Sequence, residues 1–188
     1  MEKKLKQEAS TCIKVVLFGP ESTGKTVLAK RLAVHYQTVF VPEYSREYAE
    51  EKFKNKELLT SEDVLPIAIG QMKNENRFAK KTDSVLICDT DLLETKVYSE
   101  VYYPEANYPL IEKYAVENTY DLYFLTYIDT PWEADGIRDK PNEREYMFQA
   151  FQTALIKYNK PYVLLKGDLE TRFEMAVKLI DGLLNKEK

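Results

Sequence analysis

Gly19-Pro20-Glu21-Ser22-Thr23-Gly24-Lys25-Thr26 fits the pattern G-x-x-x-x-G-K-[ST] at every fixed position and constrains this chain more than any other stretch. Such a loop works only between a strand and a helix. That context is present: Ile13 to Phe18 is an apolar run of strand length, and Val27, Leu28, Leu32 and Ala33 recur at helical spacing. The glycines let the backbone curl around a phosphate with no Cβ in the way, and successive N–H groups at a helix N-terminus form a concave anion site. Gly19, Glu21, Ser22, Thr23, Gly24, Lys25 and Thr26 are therefore the candidate residues for ATP. Lys25 brings a point charge to the outer phosphates, and Thr26 offers a hydroxyl to Mg²⁺, an ion that prefers oxygen ligands.

The remainder alternates strands and helices. Thr38 to Val41 reads as a second strand stopped by Pro42, and Glu43-Tyr44-Ser45-Arg46-Glu47 follows at the end where open α/β sheets bind ligands. The mixed charges of Glu50 to Leu59 read as a solvated helical face or loop, and Ser61 to Lys81 as a helix capped by Thr60 or Ser61, with Gly70 weakening its regularity. A third strand, Ser84 to Cys88, ends in Asp89-Thr90-Asp91, two carboxylates abruptly following an apolar run. An acidic residue there suits Mg²⁺, so Asp89 is the metal candidate beside Thr26, although an Asp N-cap to the next helix accounts for one of the pair. Leu122 to Ile128 forms a fourth strand, followed by a loop that carries Trp132, the only tryptophan, and Arg138, with Arg144 close to the next helix. A lid that closes on the triphosphate and brings Arg138 to the transferred phosphate fits this make-up. Tyr162 to Leu165 is the fifth strand, with Gly167 and Asp168 on the nucleotide side after it.

Five strands alternating with helices predict an α/β fold, a P-loop NTPase three-layer α/β/α sandwich with a mainly parallel five-stranded sheet. At 188 residues the expected organisation is a flexible polar tail over residues 1–11 and a single domain over 12–188. A net charge of −4 argues against a general nucleic-acid binder, and no run is apolar and long enough for a membrane. Cys12 and Cys88 read as buried thiols, His35 as a surface side chain, and the expected location is the cytoplasm.

A small-molecule kinase needs a carboxylate across the cleft from Lys25 to orient or deprotonate the acceptor hydroxyl. Glu43 and Asp91 are the candidates, with Arg46 holding Glu43 or touching the substrate. Taken in order, the P-loop, Pro42-Glu43-Tyr44-Ser45-Arg46-Glu47, Asp89-Thr90-Asp91 and Asp129-Thr130-Pro131-Trp132-Glu133-Ala134-Asp135-Gly136-Ile137-Arg138 resemble the ribosylnicotinamide kinase domain of NadR-type proteins. The resemblance covers nearly the whole chain after the tail. It implies ATP- and Mg²⁺-dependent phosphorylation of nicotinamide riboside to nicotinamide mononucleotide. In that scheme Glu43 and Asp91 serve the acceptor ribose, and Tyr44 and Trp132 offer aromatic faces to the cationic nicotinamide ring. NadR-type proteins also carry an adenylyltransferase domain and some a helix-turn-helix domain; neither is expected here. Another nucleoside or small metabolite as acceptor, a regulatory P-loop ATPase acting as a nucleotide-dependent binding module, and a homo-oligomer all remain open at this point.

Overall fold

Every position of Ile13–Phe18 (β1) is buried, which a strand reaches only in the middle of a sheet covered on both faces. The computed structural model, which describes residues 2–132 and 142–186, places β1 there. Its neighbours are Val85–Asp89 (β3) and Leu122–Thr126 (β4); Phe40–Val41 (β2) and Tyr162–Leu165 (β5) form the edges, in the order β2-β3-β1-β4-β5. All four pairings are parallel. The alternation of side chains along each strand divides the core in two. Val15, Leu17, Ile87 and Phe124 face Lys25–His35 (α1) and Leu169–Leu184 (α7), whereas Val16, Phe18, Cys88, Tyr123 and Leu125 face the other layer. That layer holds Val64–Ala79 (α3), Leu92–Tyr102 (α4), Pro109–Glu117 (α5) and Arg144–Lys157 (α6). This is a P-loop α/β/α sandwich. Among the described residues no helix is long and apolar enough to cross a membrane.

Tyr44–Lys54 forms a helix (α2) that begins directly after the second strand, so Glu43 sits at its N-cap position. Residues 2–11, expected to be a loose tail, are largely exposed but tied to the domain at Leu5, Gln7 and Glu8. Leu5 is fully buried, the Gln7 and Glu8 backbone N–H groups donate to Asn118 Oδ1 (3.2 Å) and Asn76 Oδ1 (2.8 Å), and Gln7 Nε2 donates to Glu75 Oε1 (2.8 Å). Composition hid this because one leucine and the backbone do the anchoring.

Gly70 lies inside the continuous helix α3 for a packing reason. A Cβ at that position would lie 2.0 Å from Cε1 of Tyr44, whose ring packs α2 against α3. Helix propensity favours alanine over glycine by about 1 kcal/mol, but overpacking costs about 1–3 kcal/mol. Gly70→Ala is expected to lower the urea midpoint of unfolding; a midpoint equal to or above the wild type would show that the ring moves away at no cost.

Candidate active site

The carboxyl ends of β1 and β3 and the start of α1 meet at a cleft of about 720 Å³. Its floor is the P-loop. Gly19 (φ 138°) and Gly24 (φ 80°) both take left-handed backbone, and a Cβ on Gly19 would sit 2.7 Å from the Thr126 hydroxyl at the end of β4. That hydroxyl is shared with Thr23 Oγ1 at 2.7 Å, which also donates to the Pro20 carbonyl at 2.7 Å. The loop is thus braced from below.

Lys25 is buried, and its Nζ donates to the Gly19 (2.6 Å) and Pro20 (3.0 Å) carbonyls. It lies 3.2 Å from Glu94 Oε1, and Glu94 Oε2 accepts from the Gly19 N–H at 3.3 Å. Burial by itself lowers the Lys25 pKa, but the neighbouring Glu94, Glu43 and Asp89 together outweigh it and raise it. Glu94 is raised as well, to about 8, because burial and the charges of Glu43, Asp91 and Asp89 exceed what one lysine offers. The two shifts look opposed for partners in one ion pair. They are compatible because the site holds more acidic groups than cations, and the fully buried Glu94 bears part of the excess.

Asp89 stands at the end of β3 with both carboxylate oxygens buried and no hydrogen-bond partner among the described residues. Burial and the neighbouring Glu43 push its pKa up to about 6, against the pull of Thr26, Lys25 and Arg46. Glu43 accepts a hydrogen bond from Ser45 Oγ at 2.7 Å and lines the cleft with Arg46. Phe53, Leu59 and Ile67 line another part of the wall, with Tyr98, Tyr102 and Tyr103.

Several sequence candidates lie elsewhere. Asp91 does not face the cleft: it caps α4, accepting from the Glu94 N–H (2.9 Å) and from the Tyr123 hydroxyl (2.7 Å). A strand spacing of two would set Asp89 and Asp91 on one side. Between them Thr90 turns left-handed (φ 85°), a strained position for a β-branched residue, and sends the second carboxylate into the core. Tyr44 packs on Gly70, and Trp132 lies beside Arg144, its ring centroid 5.9 Å from the guanidinium carbon. Neither ring lines the cleft. The Gly167 N–H donates to Asp129 Oδ2 (2.7 Å), and Asp168 caps α7 through the Thr171 N–H (2.8 Å). Arg138 lies outside the described residues.

Glu94 and Arg172 were missed. Glu94 follows Asp91 by three positions, which reads as a capping box, while its side chain actually reaches back to the P-loop. Arg172 sits on α7, whose other core-facing residues pack the sheet, yet it is 3% exposed and lines the cleft. Neither residue had a sequence signal beyond its charge.

Because Glu94 binds its proton more tightly in the folded chain than at its ordinary value of 4.5, the stability that protonation lends is full below about pH 4 and is lost as pH rises toward 8. Asp89 and Asp91 also lie high, each at about 6, so the share of Glu94 is read between pH 6 and 8. The expected result is that urea stability of the ligand-free protein falls over that range and that Glu94→Gln flattens the fall. An equally steep fall in the variant would assign the slope to another group.

The cradle, the parallel sheet and the strand-end carboxylate define a P-loop nucleotide-binding fold of the kinase type. The chain belongs to the AAA_28 family, described as an AAA domain, whose model matches residues 14–172. It is 28% identical over 179 residues to the trifunctional NAD biosynthesis/regulator protein NadR of Salmonella typhimurium, covering 92% of this chain and 43% of that protein. Among solved structures, a NadR protein in complex with NR matches with a TM-score of 0.80 and 27% identity over 93% of this chain and 52% of that one. A NadR protein in complex with NAD and AMP-PNP matches with a TM-score of 0.77 and 25% identity over 93% and 50%. The chain therefore spans about half the length, or less, of these relatives.

Proposed function

We propose that this chain phosphorylates the 5′-hydroxyl of nicotinamide riboside with Mg²⁺-ATP, giving nicotinamide mononucleotide and ADP. The observation that carries the reading is the cleft itself, with a complete P-loop on one wall and Glu43, Arg46 and three tyrosines on others. The similarity to NadR bound to NR supports the choice of acceptor. In the reaction the acceptor hydroxyl gives its proton to Glu43 as its oxygen bonds to the γ-phosphorus. The bond from that phosphorus to the β–γ bridging oxygen breaks, and ADP leaves with the electron pair. Lys25 and the loop N–H groups hold the phosphates in line. Tyr98, Tyr102 and Tyr103, in place of Tyr44 and Trp132, supply the aromatic wall that a cationic ring favours.

Mg²⁺ fits the residues present. Asp89 offers two buried oxygens without hydrogen-bond partners, the Thr26 hydroxyl is its neighbour, and three carboxylates face Lys25 and Arg46. When bound, Mg²⁺ supplies neutralisation of the charge on the β- and γ-phosphate oxygens. The test is ADP release from Mg²⁺-ATP with and without nicotinamide riboside, with mass spectrometry of the products. Nicotinamide mononucleotide formed in step with ADP is the expected result. ADP release that the riboside leaves unchanged would overturn the acceptor, and a nucleoside panel would then separate a kinase of another substrate from a regulatory ATPase.

A further inference from the structure

The P-loop backbone carbonyls are held by side chains from other elements. Ser22 (φ 56°), Gly24 and Gly19 all take left-handed backbone, so the loop depends on neighbours to keep its shape. The Ser22 carbonyl accepts from the Thr130 hydroxyl at 2.7 Å and from Arg144 Nη2 at 3.4 Å. The Thr23 carbonyl accepts from Arg172 Nη1 at 2.6 Å. Arg172 Nη2 donates in addition to the Tyr127 carbonyl at 2.9 Å and pairs with Asp129, which also takes the Gly167 N–H. One buried guanidinium on α7 therefore joins the P-loop to the ends of β4 and β5.

Peptide planarity gives this bracing a functional meaning. In a trans peptide the carbonyl of one residue and the N–H of the next point in opposite directions. Fixing the Ser22 carbonyl outward aims the Thr23 N–H inward, and fixing the Thr23 carbonyl does the same for Gly24. We propose that Arg172 is a positioning residue for phosphate binding, which presets the Gly24 N–H toward the β-phosphate by holding the Thr23 carbonyl on the opposite side of the loop. It touches no reacting atom. This rests on the reading of the cleft as an ATP site.

The test is calorimetric titration of the whole chain with Mg²⁺-ATP, Mg²⁺-ADP and AMP, using wild type, Arg172→Met and Arg172→Lys. Losing a charge-assisted hydrogen bond to the loop predicts roughly 10- to 100-fold weaker binding of ATP and ADP in Arg172→Met. AMP, which lacks a β-phosphate, should bind within twofold of wild type, and the acceptor KM at saturating ATP should hold. Arg172→Lys keeps the charge but not the fork and should recover part of the loss. A general structural defect would weaken all three nucleotides together and overturn the proposal, as would ATP binding in Arg172→Met within twofold of wild type. If Arg172→Met does not fold, Arg172→Lys decides by the same ATP-against-AMP comparison. A wild type that binds no Mg²⁺-ATP would instead overturn the site reading on which the proposal stands.

Discussion

Lys25→Ala is expected to lower kcat/KM for phosphoryl transfer by about 10²–10³-fold or more, the usual range for removing one group that stabilises charge on the transferring phosphate. The structure explains why no neighbour substitutes. Lys25 is the cation that Glu94, Glu43 and Asp89 surround, and it is held at the loop by the Gly19 and Pro20 carbonyls. Its removal leaves those acidic groups around the loop with Arg46 as the remaining cation identified near Asp89. Coupled-assay kinetics with circular dichroism as a folding check would measure this. A folded variant that keeps more than a tenth of wild-type kcat/KM would remove Lys25 from the mechanism.

Glu43→Gln is expected to separate chemistry from binding. A positioned general base contributes about 10²–10⁴-fold, so kcat should fall by that range while the Mg²⁺-ATP dissociation constant changes little. The N-cap placement of Glu43 favours this role, because the start of α2 sets the carboxyl at the cleft wall and the Ser45 hydroxyl orients it. Asp91→Asn is the contrasting variant. Asparagine keeps the cap but offers Tyr123 an N–H where the carboxylate accepted its proton, leaving that buried hydroxyl without its acceptor, so a stability loss of about 1–3 kcal/mol is expected with kcat per folded enzyme largely kept. The reverse outcome, a stable Asp91→Asn with lost turnover and an active Glu43→Gln, would exchange the two roles.

The parts of this site that the sequence revealed are those set by local spacing. The P-loop, the apolar strands and Asp89 at a strand end follow from contiguous pattern, and the structure places them as expected. What stayed hidden depends on backbone turns or on distant partners. The left-handed Thr90 decides where Asp91 points, and no composition rule predicts a positive φ at a threonine. Tyr44 looked available for a ligand until α3 supplied Gly70 as its seat. Glu94 and Arg172 lie 75 and 149 residues from the P-loop atoms they bond, a separation at which periodicity carries no information.

The tethered segment before β1 bears on where this domain begins. The family match starts at residue 14, and a boundary drawn there would treat everything earlier as dispensable. Such a cut would remove the leucine that fills a fully enclosed position and strip the backbone donors from Asn76 and Asn118. It would also take the Gln7 amide from the buried Glu75 carboxylate, which bonds Lys14 and Tyr120 as well. The contacts of the domain therefore extend beyond the stretch that the family model matches, and a version trimmed to the motif would open a seam at the end of the sheet remote from the P-loop.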